Sequence, residues 1–142
     1  MNEDSSNWIE YLDNKVALHT MFSGTVPALD SLVLAQMVMD QVGGVHISLN
    51  FPDLPDRSPA RWIAQGCDCV QLRLSFYDLD RLCVAGRAHE GNLDVIASFR
   101  RDNHFSISNT VFSVELVYRY VKAYLYPFDS RVFEEPQDWY RR

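Results

Sequence analysis

The sequence predicts an α+β fold, mainly antiparallel β, built as a curved sheet or two β-layers with an N-terminal helix. Three observations lead there. Apolar residues alternate with period two through six or seven segments, and Gly, Asn and Asp clusters separate them. Only the N-terminal segment carries a helical period. The chain has 142 residues with 47% hydrophobic and 13% aromatic content, enough for one packed core and unlike a disordered chain.

Asn7 to Phe22 is the helical segment. Trp8, Leu12, Val16 and His19 recur at spacings of four and three, and Ile9 and Leu18 widen the stripe. Asn7 and Glu10 have the spacing of a capping box, Ser23-Gly24 closes the helix, and Pro27 starts an extended stretch. From Ser31 the period is two. Leu32, Leu34 and Val38 alternate with Val33, Ala35, Met37 and Met39, which predicts a strand buried on much of both faces. Gln41-Val42-Gly43-Gly44 reads as a hairpin turn. The returning strand puts Val45, Ile47, Leu49 and Phe51 on one side and His46, Ser48 and Asn50 on the other.

Pro52, Pro55 and Pro59 stiffen the loop that leads to Trp62. A third strand, Asp68 to Tyr77, directs Val70, Leu72, Leu74 and Phe76 inward. Asp78-Leu79-Asp80 is a turn, and a fourth strand ends at Gly86. Leu93 to Arg100 is a fifth strand, Asp102-Asn103 a turn, and Phe105 to Val111 a sixth strand. Phe112 to Tyr126 reads as one long aromatic strand, with a helix over Val114 to Tyr126 as the alternative. The expected organisation is a single domain over 1–126 and a polar tail over 127–142. Phe128, Phe133 and Trp139 pack part of that tail back onto the body.

Nineteen acidic against thirteen basic residues give a net charge of −6, which argues against nucleic-acid binding. No apolar run is long enough for a membrane span. The polar, acidic start Met1 to Ser6 lacks the features of a secretory signal, so the expected compartment is the cytoplasm. Cys67, Cys69 and Cys83 fit no disulfide framework. With His89 they fall short of usual zinc spacing, and Cys69 and Cys83 read better as small apolar residues on strands, so no metal or other cofactor is expected.

Phosphate-loop, dinucleotide, zinc-protease and serine-hydrolase motifs are absent. His46 and His104, with Glu115 or Asp94, could form an acid–base site; solvent-facing strand histidines are the simpler reading. Asp53, Asp56, Asp78 and Asp80 do not match a calcium loop and suit turns. Tyr118, Tyr120 and Tyr124 could stack on bases, but a core or partner-packing face fits the acidic composition better.

Several features carry a resemblance. They are Trp8, Pro27-Ala-Leu29, the hairpin Leu34 to Phe51 and Leu49-Asn-Phe-Pro-Asp-Leu-Pro55. Ala60-Arg-Trp62, the run from Gln65-Gly66 through Val70-Gln71-Leu72-Arg-Leu74-Ser-Phe76, and Leu82-Cys-Val84-Ala-Gly86 complete the set. Together they resemble the immunity protein 50 family of bacterial polymorphic toxin systems, from Trp8 to Gly86, fading over the last third. The resemblance implies a non-enzymatic antidote that binds a cognate toxin domain and occludes it. It implies no catalytic residues. On charge and exposure, Asp53, Asp56, Asp78 and Asp80, with Tyr77 as aromatic anchor, are the expected toxin-binding residues. A small binding module or assembly subunit outside toxin systems is the alternative. A homodimer paired through a free strand edge near Tyr118 is a further expectation.

Overall fold

Trp8 sets the first packing constraint: its indole N–H donates to the Pro27 carbonyl at 2.8 Å, and its ring meets Phe22 and Phe51. The computed structural model describes residues 5–22, 24, 26–87 and 94–131. A 3₁₀ helix, Ser5–Tyr11, leads into helix α1, Lys15–Met21. Strands β1 (Leu32–Met39) and β2 (Val45–Phe51) form a hairpin, followed by the short helix α2 (Ala60–Ala64). Then come β3 (Cys69–Tyr77), β4 (Arg81–Gly86), β5 (Asp94–Arg100), β6 (His104–Ser108), β7 (Phe112–Val117) and β8 (Tyr120–Phe128). These strands form one antiparallel sheet in the order β4-β7-β6-β5-β1-β2-β3-β8.

The sheet is two four-stranded halves with a narrow seam. Among the described residues, Leu32–Val95 and Val33–Asp94 pair across β1 and β5. Away from the seam, the β3–β8 ribbon turns a corner into β4–β7. There the Asp80 N–H donates to the Val117 carbonyl, and the Arg119 N–H to that of Tyr77. The bend folds the inner faces of the two halves together. Phe76 of β3 lies 4.8 Å from Phe105 of β6 and 5.0 Å from Tyr118 at the corner, centroid to centroid. Phe99 joins them, and all four rings are buried. A fully buried aromatic ring contributes about 1.5–3 kcal/mol, so this cluster is a main contributor to holding the bend. The fold is therefore α+β and mainly antiparallel β, as the alternation predicts.

The predicted continuous helix Asn7 to Phe22 is broken, because Asp13 and Asn14 leave it to bond β8. The Asp13 N–H donates to the Val121 carbonyl at 2.8 Å, and its carboxylate accepts the Val121 N–H at 2.7 Å. The Asn14 side chain accepts the Ala123 N–H at 3.0 Å and donates to the Ala123 carbonyl at 2.7 Å. The break rotates the helical phase. Trp8, Ile9, Leu12 and Leu18 stay buried, but Val16 is 73% exposed. His19 is exposed and bonds Glu10 at 2.6 Å. The Asn7 side chain and Ser23 lie outside the described residues.

In β1 only Leu32 is buried, against the expectation of two covered faces. A register shift between Leu34 and Gln36 upsets the alternation, and among the described residues β5 pairs with Leu32 and Val33 of this strand. The sixth strand stops at Ser108, where the Asn109 side chain accepts the N–H groups of Val111 and Phe112 in a turn. The predicted long strand is two strands, β7 and β8, divided at Tyr118-Arg119, and the helical alternative does not occur. β8 runs on to Phe128. Leu93, Phe133 and Trp139 lie outside the described residues.

Candidate protein-binding face

Antiparallel pairing places directly opposite residues on the same side of a sheet. One row across the outer side of β1, β2, β3 and β8 is therefore Val38, His46, Ser75 and Lys122. The next is Gln36, Ser48, Arg73 and Tyr124; a third is Val33, Asn50, Gln71 and Tyr126. Tyr77 and Tyr120 pair at the end of the ribbon. Tyr120, Tyr124 and Tyr126 are 48%, 39% and 48% exposed. Tyr118 differs: the corner turns it inward, and burial pushes its phenol pKa well up. Of the four tyrosines from 118 to 126, Tyr118 is therefore a core residue and the other three lie on the surface.

His46 fixes one corner of this face. Its Nε2–H donates to Asp40 at 2.9 Å, because a carboxylate only accepts, and its Nδ1 is hydrogen-bonded to the Ser75 hydroxyl at 2.8 Å. Asp40 also accepts the N–H groups of Val42 and Gly44. The bond from His46, followed by that from Gly44, holds the Asp40 carboxyl below its usual range. An Asp–His–Ser chain can serve acyl transfer only where the serine reaches a substrate. Ser75 is 2% exposed, so this chain braces the β1–β2 turn. His104 lies on the outer face of the other half, in a groove of about 220 Å³ with Arg81, Arg100 and Glu115. Packed inner faces stand between the two histidines, so the structure does not bring them together as one acid–base site. Asp94 sits exposed at the start of β5.

The expected toxin-binding residues separate into two groups. Asp53 and Asp56 line a cleft of about 420 Å³ with Phe22, Pro27, Phe51, Pro52, Leu54 and Pro55. Asp56 accepts the Gly24 N–H at 3.0 Å. Asp78 and Asp80 lie in the turn after the opposite end of β3, roughly 25–30 Å away at strand rise. Asp78 adopts a left-handed φ of 53°, a conformation Asp tolerates in turns. Half-buried Tyr77 meets His46 edge-on at 6.1 Å and is the one member of the set on the sheet face. Cys67, Cys69 and Cys83 are free thiols, and burial pushes Cys69 up to about 11. Among the described residues no three His, Cys, Asp or Glu side chains gather as a metal site; His89 lies outside them.

The family model described as Immunity protein 50 matches residues 14–123. The chain belongs to the immunity protein 50 family. The matched segment extends past Gly86, where the visible resemblance fades, through β5, β6, β7 and into β8. Its end residues, Asn14 and Ala123, are hydrogen-bonded to each other. Comparison with curated proteins and with solved structures returns no match. Among the described residues no helix is long and apolar enough to cross a membrane. Sequence reasoning offers Tyr124 as part of a core or partner-packing face and gives Arg73, Lys122 and Tyr126, on the same side of the sheet, no binding role. The available signal was the Tyr-x-Lys-x-Tyr-x-Tyr alternation from 120 to 126, which marks a strand with an exposed aromatic side.

Proposed function

We propose that this chain is a cytoplasmic bacterial immunity protein. It binds a cognate toxin domain stoichiometrically, occludes its active site or substrate path, and catalyses nothing. The immunity protein 50 match over residues 14–123 carries this reading. Two features support it. The Asp53–Asp56 cleft joins carboxylates to proline and phenylalanine walls, a setting suited to a Lys or Arg side chain with its aliphatic stem. Asp78 and Asp80 offer a second acidic contact beside Tyr77 at the other end of β3, so a basic toxin surface would be gripped at both ends.

Co-expression with the product of the neighbouring toxin gene tests the reading. Cell survival together with a stable one-to-one complex is the expected result. Toxicity without rescue and without a complex would sink it for that partner. Charge reversal of Asp53, Asp56, Asp78 and Asp80 together should weaken the complex at least tenfold and reduce its salt dependence. Unchanged affinity would remove these residues from the interface.

A further inference from the structure

The charge on the outer sheet face runs against that of the chain. Arg73 and Lys122 stand in adjacent rows of β3 and β8, and neither has an ion-pair partner among the described residues. Nearby carboxylates are engaged elsewhere. Asp40 holds His46, Asp13 holds the Val121 N–H, Asp68 holds Ser130, and Asp129 holds Arg131. The outer rows across β1, β2, β3 and β8 hold Arg73 and Lys122 and no Asp or Glu, on a chain of net charge −6. Tyr124 lies directly opposite Arg73, with Tyr126 and Tyr120 along the same strand. Tyr and Arg are the residue types enriched at binding hot spots, because they present large contact area with a polar or charged tip. Singly scattered surface apolar residues need no explanation, but these groups share one face of one ribbon.

The edge beside this face is closed. Outward N–H and C=O groups of Val121 and Ala123 are all taken by Asp13 and Asn14, and Pro127 has no N–H. Strand addition at β8 is thereby blocked where those groups lie. A partner on this half must meet side chains.

We propose that the outer face of β2, β3 and β8 is the principal seat of the toxin domain. The toxin meets it with a carboxylate-bearing surface, which pairs with Arg73 and Lys122 and packs on Tyr124 and Tyr126. This rests on the immunity-protein reading. It adds a cationic, aromatic centre between the acidic ends, so the toxin surface is acidic in its middle and basic at its margins.

The test measures affinity of the full chain for the toxin domain encoded beside it, by calorimetry. Tyr124→Ala combined with Tyr126→Ala should weaken binding about 100-fold or more. Lys122→Glu, at an exposed position where misfolding is not at issue, should weaken it about tenfold, with Arg73→Glu at least equal. Arg100→Ala, on the other half, should leave affinity within about twofold. Thermal midpoints within a few degrees of the parent establish that each variant is folded. Folded Tyr124, Tyr126 and Lys122 variants that bind like the parent would overturn the surface assignment and leave the immunity reading standing. A parent chain that neither binds nor protects would end that reading and this inference with it. Light scattering of the free chain covers the other occupant: a dimer dissolved by the tyrosine variants would mean that a second copy covers the face.

Discussion

The two edge strands of the sheet are finished in opposite ways. At β8, Asp13 and Asn14 occupy the outward backbone groups of Val121 and Ala123, and the strand is nine residues long with large aromatic side chains. β4 is six residues long, pairs only with β7, and bears exposed Val84, Ala85 and Gly86. Exposed edges invite pairing with other chains, and proteins blunt them by covering them or keeping them short. β8 is covered and β4 is short. The lesson is that length at an edge needs a cover: β8 builds its side-chain face where Asp13 and Asn14 take the outward groups of Val121 and Ala123.

The largest expected effect breaks the β4 edge. Gly86 has a φ of +109°, and a Cβ there would lie 2.2 Å from the Val111 carbonyl oxygen and 2.5 Å from Phe112 Cα. Both obstacles are backbone, so no side chain can swing aside. Gly86→Ala should destabilise the protein by at least about 3 kcal/mol, from left-handed strain and overpacking together. Gly43, at φ +88° in the β1–β2 turn, has nothing within 4 Å. Gly43→Ala carries backbone strain alone, about 1–2 kcal/mol. Urea unfolding of the two variants measures the difference. Equal losses would show that the close approach at Gly86 relaxes at little cost.

The middle-sized effect opens the other edge. Asn14→Ala leaves the Ala123 N–H and C=O without their partner, with an expected loss of about 1–3 kcal/mol. It should also let the β8 edge pair between molecules, read as concentration-dependent mass by sedimentation. A variant that stays monomeric would show that Asp13 and Pro127 close this edge unaided.

These edge devices explain which parts of the fold were legible in the sequence. β2 and β3 are readable because one side alternates cleanly: Val45, Ile47, Leu49, Phe51, Val70, Leu72, Leu74 and Phe76 are all buried. The β7–β8 division is not, because the corner Tyr118-Arg119 contains no Gly, Pro, Asn or Asp to announce it. Its geometry comes from long-range bonds to Tyr77 and Asn103. The helix break at Asp13 and Asn14 is hidden for a similar reason. Both residues suit a helix start locally, and only contact with a strand more than a hundred positions later draws them away. The candidate face is half legible. Tyrosine alternation is visible in the sequence, whereas the opposition of Tyr124 to Arg73 needs the β3–β8 register.

The smallest effect tests how the far end of β8 is pinned. Asp68 accepts the Ser130 hydroxyl at 2.6 Å and the Ser130 N–H at 2.8 Å, tying the start of β3 to the residues just past β8. The hydroxyl first, then the N–H, draw the Asp68 carboxyl down to about 2. An unfolded Asp titrates near about 3.9. The folded value is the lower one, so the folded state favours the ionised form. The contribution is complete above about pH 4 and disappears as pH falls towards about 2. Ser130→Ala removes the larger cause and keeps the N–H, so the Asp68 titration, followed by NMR, should move up part of the way towards its unfolded value. Acid unfolding should then begin at slightly lower stability but with a shallower dependence on pH between 4 and 2. An Asp68 titration that does not move in Ser130→Ala would mean that the hydroxyl does not hold this end of the strand, and that the closed edge depends on Asp13 and Asn14 alone.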